Sequence, residues 1–408
     1  MPEDEEDIKW EPKCVASSIT LDTINKTPPS EPCNGIDSNL NEDINPHHFR
    51  SARWTPDGTT ILTESSDYHI RSYIVPPDLL EKHSPHNLSP YSILPSAEPI
   101  YASAVYPFFD LQNPATTLFL SSVRDHPIRL ASALAPTSVA TYSLVNPTTE
   151  AFITPHSIVY PSTLGGTHFL TGSDSLICLF DVSRPGKDGP VSWLPTIPSK
   201  RKQIVGGGIG MKGIVSAMAV NPTGDGILAA GTFTRQVGLY SSNGSGELLG
   251  TFSIAKTEAN REIGGKGVTQ LVWSPCGRYL YIAERKSDGI LVYDIRVTGQ
   301  MLGFLRGRKA MSNQRMEIDV LSTGAEGIHE VWAGGTDGFM RRWTNPVYSA
   351  GGQDPDWEFK VHEDAVTSTA SHSTGSVVVT CGGQRHHSRS TPEITPESSL
   401  KIWSFPCS

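Results

Sequence analysis

From residue 49 to residue 404, short apolar runs alternate with polar turns in a phrase that recurs about seven times. Each phrase holds a strand-like run, a turn bearing Pro or Gly, a second run ending in small residues, and an Asp followed six positions later by an aromatic. Asp67 precedes Tyr73, Asp174 precedes Phe180 and Asp337 precedes Trp343 by that interval. Thr234 and Tyr240, Asp125 and Ala131, and Glu397 and Trp403 keep the spacing with altered residues, whereas Asp288 to Tyr293 is one residue shorter. The turns Trp54-Thr-Pro-Asp-Gly58, Val220-Asn-Pro-Thr-Gly224 and Trp273-Ser-Pro-Cys-Gly277, with the weaker Ser371-His-Ser-Thr-Gly375, carry the chemistry of type I or type II turns. No segment has helical periodicity, so the pattern predicts many short strands. Runs such as Phe169-Leu-Thr-Gly-Ser-Asp174 close on small residues, which lets neighbouring strands approach near a common axis.

A unit of four strands repeated at roughly 40 to 45 residues is the WD40 signature, and it predicts a β-propeller. Here the repeats are stretched, since the anchor positions 73, 131, 180, 240, 293, 343 and 403 lie 49 to 60 residues apart. Seven blades are expected, near 49–95, 100–145, 156–196, 213–254, 267–306, 314–361 and 364–404. The last lacks an outer strand. The stretch Cys14 to Leu21, with Val15, Ile19, Thr20 and Leu21, is expected to supply it and so close the ring, removing a free sheet edge. The chain therefore divides into a tail, 1–48, holding that strand near 14–21, and one propeller domain, 49–408.

The net charge of -9 changes this picture because it is concentrated. Residues 1–46 hold eleven acids and three lysines, while the other 362 residues are almost balanced, with 30 basic and 31 acidic side chains. An acidic, Pro-containing leader of this kind reads as a solvated tail, and the whole-chain charge says little about what the propeller binds.

The six cysteines form no CxxC pair and no Cys/His cluster at metal-ligand spacing, so no zinc or other cofactor is expected. The acidic start does not resemble a secretory leader, and no run of about 18 apolar residues is present to span a bilayer. A reducing compartment and no membrane partner follow. Gly206-Gly-Gly-Ile-Gly210 lacks the Lys-Ser/Thr of a phosphate loop and reads as a connector. His362, in Val361-His-Glu-Asp-Ala-Val366, occupies the position where such blades place a histidine to bond a strand Ser and a turn Asp. His386 and His387 fall in a Ser/Thr/Pro-rich loop, 382–399, expected to be disordered. No nucleophile is paired with a base on one blade, so a catalyst is not expected.

One face remains as a candidate site. Loops entering each blade's inner strand place Arg50, Lys212, Lys266 and Arg315 there, and the turns between second and third strands add Arg124, Arg235, Arg285, Lys286 and Arg385. Asn313, Gln314 and Arg315 are the sharpest candidates, because amide and guanidinium groups read base edges or clamp phosphate. They equally suit a role tying their loop to the next blade. Acids share the face, so a plain solvated surface remains the alternative to phosphate binding. Lys200-Arg-Lys202 and Arg306-Gly-Arg308-Lys309 would extend a basic track or be solvated.

Five stretches resemble the WD40 family of the telomerase Cajal body protein. They are Trp54 to Thr63 followed by Tyr73-Ile-Val-Pro-Pro77, Ser122-Val-Arg-Asp-His-Pro-Ile128, Phe180-Asp-Val-Ser-Arg-Pro-Gly-Lys-Asp188, Gly289-Ile-Leu-Val-Tyr-Asp-Ile-Arg296 and Ser312-Asn-Gln-Arg315. The likeness spans roughly 49–345; Ile263-Gly-Gly-Lys266 departs from it, standing where a Gly-His dipeptide is usual. It implies a non-enzymatic, monomeric scaffold in the nucleus, or also the cytoplasm. Its expected partners are a small nuclear, Cajal-body or telomerase-type RNA and ribonucleoprotein proteins, in telomerase or splicing particles. Arg50, Arg124, Lys212, Arg235, Lys266, Arg285, Asn313, Gln314 and Arg315 are its expected contacts. A protein-only adaptor receiving a peptide on the same face is the competing expectation.

Overall fold

The alternating runs form strands, and the Pro- and Gly-bearing turns fold each run back on the last: Gly58 N–H donates to Thr55 O at 2.8 Å and Gly277 N–H to Ser274 O at 2.9 Å. The computed structural model describes residues 11–18, 47–82, 84–197, 210–297, 299–324, 327–384 and 397–405. Seven antiparallel sheets stand around one axis as the blades of a β-propeller.

Blade 1 comprises Phe49–Trp54, Thr60–Ser65, His69–Ile74 and Ser92–Pro95. Blade 2 comprises Ile100–Val105, Leu118–Val123, Ile128–Ser132 and Ser138–Tyr142. Blade 3 comprises Ser157–Val159, His168–Ser173, Leu176–Asp181 and Ser192–Pro195. Blade 4 comprises Val215–Val220, Leu228–Thr232, Gln236–Tyr240 and Leu248–Ser253. Blade 5 comprises Val268–Trp273, Tyr279–Glu284, Ile290–Asp294 and Met301–Leu305. Blade 6 comprises Ile318–Ser322, His329–Gly334, Phe339–Thr344 and Trp357–Lys360. Blade 7 comprises Val366–Ser371, Val377–Gly382 and Ser399–Ser404.

The fourth strand of blade 7 is Lys13–Ser18, which pairs antiparallel with Ser399–Ser404, Lys13 opposite Ser404 and Ala16 opposite Ile402. The ring is therefore closed by an N-terminal strand, as the sequence predicts; residues 19–21 of the expected span lie outside the described residues. Two additions were not expected. His86–Leu88, from the long connection inside blade 1, pairs parallel with Lys13–Ser18, and Gly351–Gln353, from the matching connection in blade 6, pairs parallel with Met301–Leu305. Each covers the outer edge of the preceding blade, so blades 5 and 7 have five strands and lose an exposed ladder of backbone donors and acceptors.

The core lies between blades rather than at one centre. All seven anchor residues are buried there, Tyr73, Ala131, Phe180, Tyr240, Tyr293, Trp343 and Trp403. Small residues near the axis permit the close approach. A Cβ added to Gly231 would lie 2.7 Å from Val268, and one added to Gly334 2.5 Å from Val366, each on the inner strand of the next blade.

Candidate nucleic-acid interface

The inner strands converge on a channel, and at the face carrying the entering loops it widens into a cavity of roughly 420 Å³. Its wall draws on successive blades. Arg50 comes from the inner strand of blade 1, Tyr101 from that of blade 2, and His156 from the loop entering blade 3. Phe233 and Arg285 come from the turns after the second strands of blades 4 and 5, and Asn313, Gln314 and Arg315 from the loop entering blade 6. Among the described residues no Asp or Glu lines the cavity.

Three of these positions owe their geometry to bonds with the scaffold. Arg315 reaches across two blades: Nε and Nη2 donate to Thr269 O at 3.0 and 2.6 Å, and Nη2 also to Ser216 O at 3.0 Å. Gln314 Nε2 donates to Gly383 O at 2.9 Å, joining blade 6 to blade 7. Arg50 Nη1 donates to Ile100 O at 3.1 Å. The tying role considered for Gln314 and Arg315 is thus present, and both still line the cavity. Below the mouth, Arg53 Nη2 pairs with Glu317 Oε1 at 2.8 Å and Glu317 Oε2 accepts from Ser368 Oγ at 3.1 Å. Burial pushes the Glu317 carboxyl up, but Arg53 and Arg315 outweigh it and hold the group below its ordinary value.

Arg285 differs from its neighbours. Its guanidinium lies 4.1 Å from the Phe233 ring centre, a cation–π contact, and its buried Nε has no hydrogen-bond partner among the described residues. Burial, then the charge of Arg50, lowers its proton affinity. Tyr101 and His156 stack at 4.5 Å and 15°, and His156 meets the edge of Phe233 at 6.2 Å. Burial lowers the pKa of His156, and Arg315 and Arg285 lower it further.

The remaining predicted residues are not in the cavity. Lys212 and Lys266 are exposed on the rim near blades 4 and 5, with backbone amides bonded to Gln236 Oε1 and Arg285 O. Arg124 is exposed beside Asp125, at 3.4 Å. Arg235 corrects the expectation of a free surface cation. It makes a bidentate pair with Glu284 of blade 5, at 2.7 and 2.8 Å, and donates to Asn260 Oδ1 at 2.7 Å. With Glu284 buried and Arg235 nearly so, the pair ties blade 4 to blade 5. Arg385, Lys200-Arg-Lys202, His386 and His387, most of the 382–399 loop and all but Gly210 of the Gly-rich connector lie outside the described residues. Of the second basic run, Arg306 pairs with Asp354, Arg308 is buried against backbone carbonyls and Lys309 pairs with Asp337.

The sequence reading missed Tyr101, His156 and Phe233. For Phe233 a signal was available: it directly follows its second strand, where Ser66, Arg124, Arg285 and Gly335 stand in blades 1, 2, 5 and 6.

No family model matches the chain. Over 301 residues, 73% of this chain and 70% of the relative, it is 32% identical to guanine nucleotide-binding protein negative regulator 1 of Schizosaccharomyces pombe. It is 28% identical to human telomerase Cajal body protein 1 over 348 residues, 83% of this chain but 58% of that protein. To protein SWT21 of Kluyveromyces lactis it is 28% identical over 312 residues, 74% of this chain and 70% of the relative.

Proposed function

The chain belongs to the WD40-repeat family of the telomerase Cajal body protein, and from that premise we propose that it is a non-enzymatic scaffold of a nuclear ribonucleoprotein, holding a small RNA on the face where the channel opens. The observation that carries this reading is the channel mouth, where three arginines line a cavity with no acidic wall residue among the described residues. Guanidinium groups fixed by the scaffold and set beside aromatic rings suit phosphate and unpaired bases together. The exposed lysines 212 and 266 then widen the electrostatic footprint. The RNA is of the small nuclear or telomerase type, and the other partners are ribonucleoprotein proteins.

A second reading has its own support, because the S. pombe relative is named as a negative regulator of a guanine nucleotide-binding protein. On that reading the chain is an adaptor that receives a protein segment and no RNA. Affinity purification of the tagged full chain, with and without ribonuclease, separates the two. The scaffold reading expects one or a few small RNAs enriched over a mock purification, and accompanying proteins lost on ribonuclease treatment. No enriched RNA, with a protein set unchanged by ribonuclease, would establish the adaptor instead.

A further inference from the structure

Resting on the RNA reading, we propose that the channel mouth is a single-nucleotide pocket, in which one splayed-out nucleotide places its phosphate among Arg50, Arg285 and Arg315 and its base against the Tyr101–His156 stack.

Charge is the first step of the argument. Three guanidinium groups share one cavity, and among the described residues no carboxylate lies in its wall. Glu317 lies deeper and is engaged by Arg53 and Ser368. Arg315 uses Nε and Nη2 on backbone carbonyls and Arg50 uses Nη1, which leaves Arg315 Nη1 and Arg50 Nη2 as donors beside Arg285. Glu317 offsets Arg53 and part of the charge of Arg315, but Arg50 and Arg285 still repel each other, and a bound anion that accepts their N–H groups relieves that cost.

Shape and stacking are the second. A bare phosphate has no use for Tyr101, His156 and Phe233, which form a continuous aromatic belt across blades 2, 3 and 4 ending on the guanidinium of Arg285. Every base has a face to stack on such a belt. The cavity, roughly 420 Å³, falls within the usual range of small-ligand sites, about 300–1,000 Å³, and is far too small for a helix end. The base must therefore be unpaired and turned out of its strand. Asn313, exposed on the rim, and Gln314 are placed to meet its edge.

The test uses the full chain with adenosine and uridine 5′-monophosphate as probes, ribose 5-phosphate as the base-less control, and a short single-stranded RNA. Both monophosphates should bind in calorimetry and raise the melting temperature in a concentration-dependent way. Ribose 5-phosphate should bind more weakly by about 5- to 150-fold, the range for loss of one stacked base. Arg285→Ala should weaken monophosphates and RNA alike by at least about tenfold, the loss of a charge-assisted bond. His156→Ala should remove the preference for monophosphates over ribose 5-phosphate; it serves if Arg285→Ala does not fold, and the wild-type melting shift needs no variant. If RNA binds but the monophosphates bind no better than ribose 5-phosphate, the pocket is refuted while the RNA reading stands on the rim. If RNA itself does not bind at low salt, the RNA reading falls, and the pocket with it.

Discussion

Two histidines, one buried in blade 7 and one half-buried at the channel mouth, show how scaffold and site use the same residue type differently. His362 Nε2 meets Thr380 Oγ1 at 2.8 Å, and its Nδ1 meets Glu397 at 2.9 Å and Ser399 at 3.0 Å. Trp403 Nε1 donates to Thr380 Oγ1 at 2.9 Å, and Lys401 pairs with Glu397 at 2.8 Å. The expected strand Ser is Ser399, and Glu397 stands where a turn Asp was expected. Burial pushes the Glu397 carboxyl up, but these hydrogen bonds overcome it and hold the group well below the carboxylate range. Among the described residues the His156 ring has aromatic neighbours in place of hydrogen bonds, and of its charged neighbours Arg315 and Arg285 outweigh Asp174. Burial lowers the pKa of both imidazoles. What separates them is saturation. A network whose polar atoms all have partners specifies a fold, whereas the buried Nε of Arg285 at the same cavity as His156, without a partner among the described residues, marks a place for something else.

The largest break in that comparison comes from opening the saturated side. Residues 13–18 complete blade 7, with Val15 and Ala16 buried against Leu400 and Ile402. Deleting residues 1–18 exposes those side chains and the backbone edge of Ser399–Ser404, and also strips His86–Leu88 of its partner. The loss should exceed the roughly 3 to 5 kcal/mol of removing one large core side chain. Deleting residues 1–12 should leave the melting temperature almost unchanged. Equal melting temperatures for the two truncations would show that the ring does not depend on its closing strand.

A finer break compares two buried tryptophans. Trp403 donates to Thr380, while Trp343 Nε1 is buried with no acceptor among the described residues. Trp403→Phe leaves a buried hydroxyl short of a partner and should cost about 1 to 3 kcal/mol beyond the loss of ring volume. Trp343→Phe forfeits similar volume but also removes an unpaired N–H, so it should be the milder change in denaturant unfolding. RNA affinity per folded molecule should be untouched in both. A greater loss at position 343 would mean that saturation does not govern these cores.

The blades were legible because each is built from contacts local in sequence: a turn such as Trp54 to Gly58 and a fixed spacing such as Asp337 to Trp343 lie inside one unit. Asp337 pairs with Arg341 in its own blade, and Asp67 with Arg71. The parallel strand His86–Leu88 was not legible, since three residues carry no period and their partner sits at the other end of the chain. Arg235 misled for a related reason. Its partner Glu284 belongs to the next blade, and no local pattern distinguishes a paired arginine from a free one. The mouth was half legible: its cations come from loops that repeat, but Tyr101 and His156 look like core residues until the ring closes and turns them toward one axis.

The smallest expected effect sharpens the comparison on the surface. Lys212 and Lys266 are exposed on the rim, whereas the charge of Arg235 is already met by Glu284. If the rim neutralises phosphates of single-stranded RNA, Lys212→Gln and Lys266→Gln should each reduce the slope of log K against log salt by about 0.7. Arg235→Gln should lower stability instead, because it leaves Glu284 buried without its counter-charge, and among folded molecules the slope should not move. Titrations between low and physiological salt on the three variants read both quantities. A slope reduced by Arg235→Gln but not by the lysines would place the RNA track at the seam between blades 4 and 5 and overturn the assignment of that arginine to the scaffold.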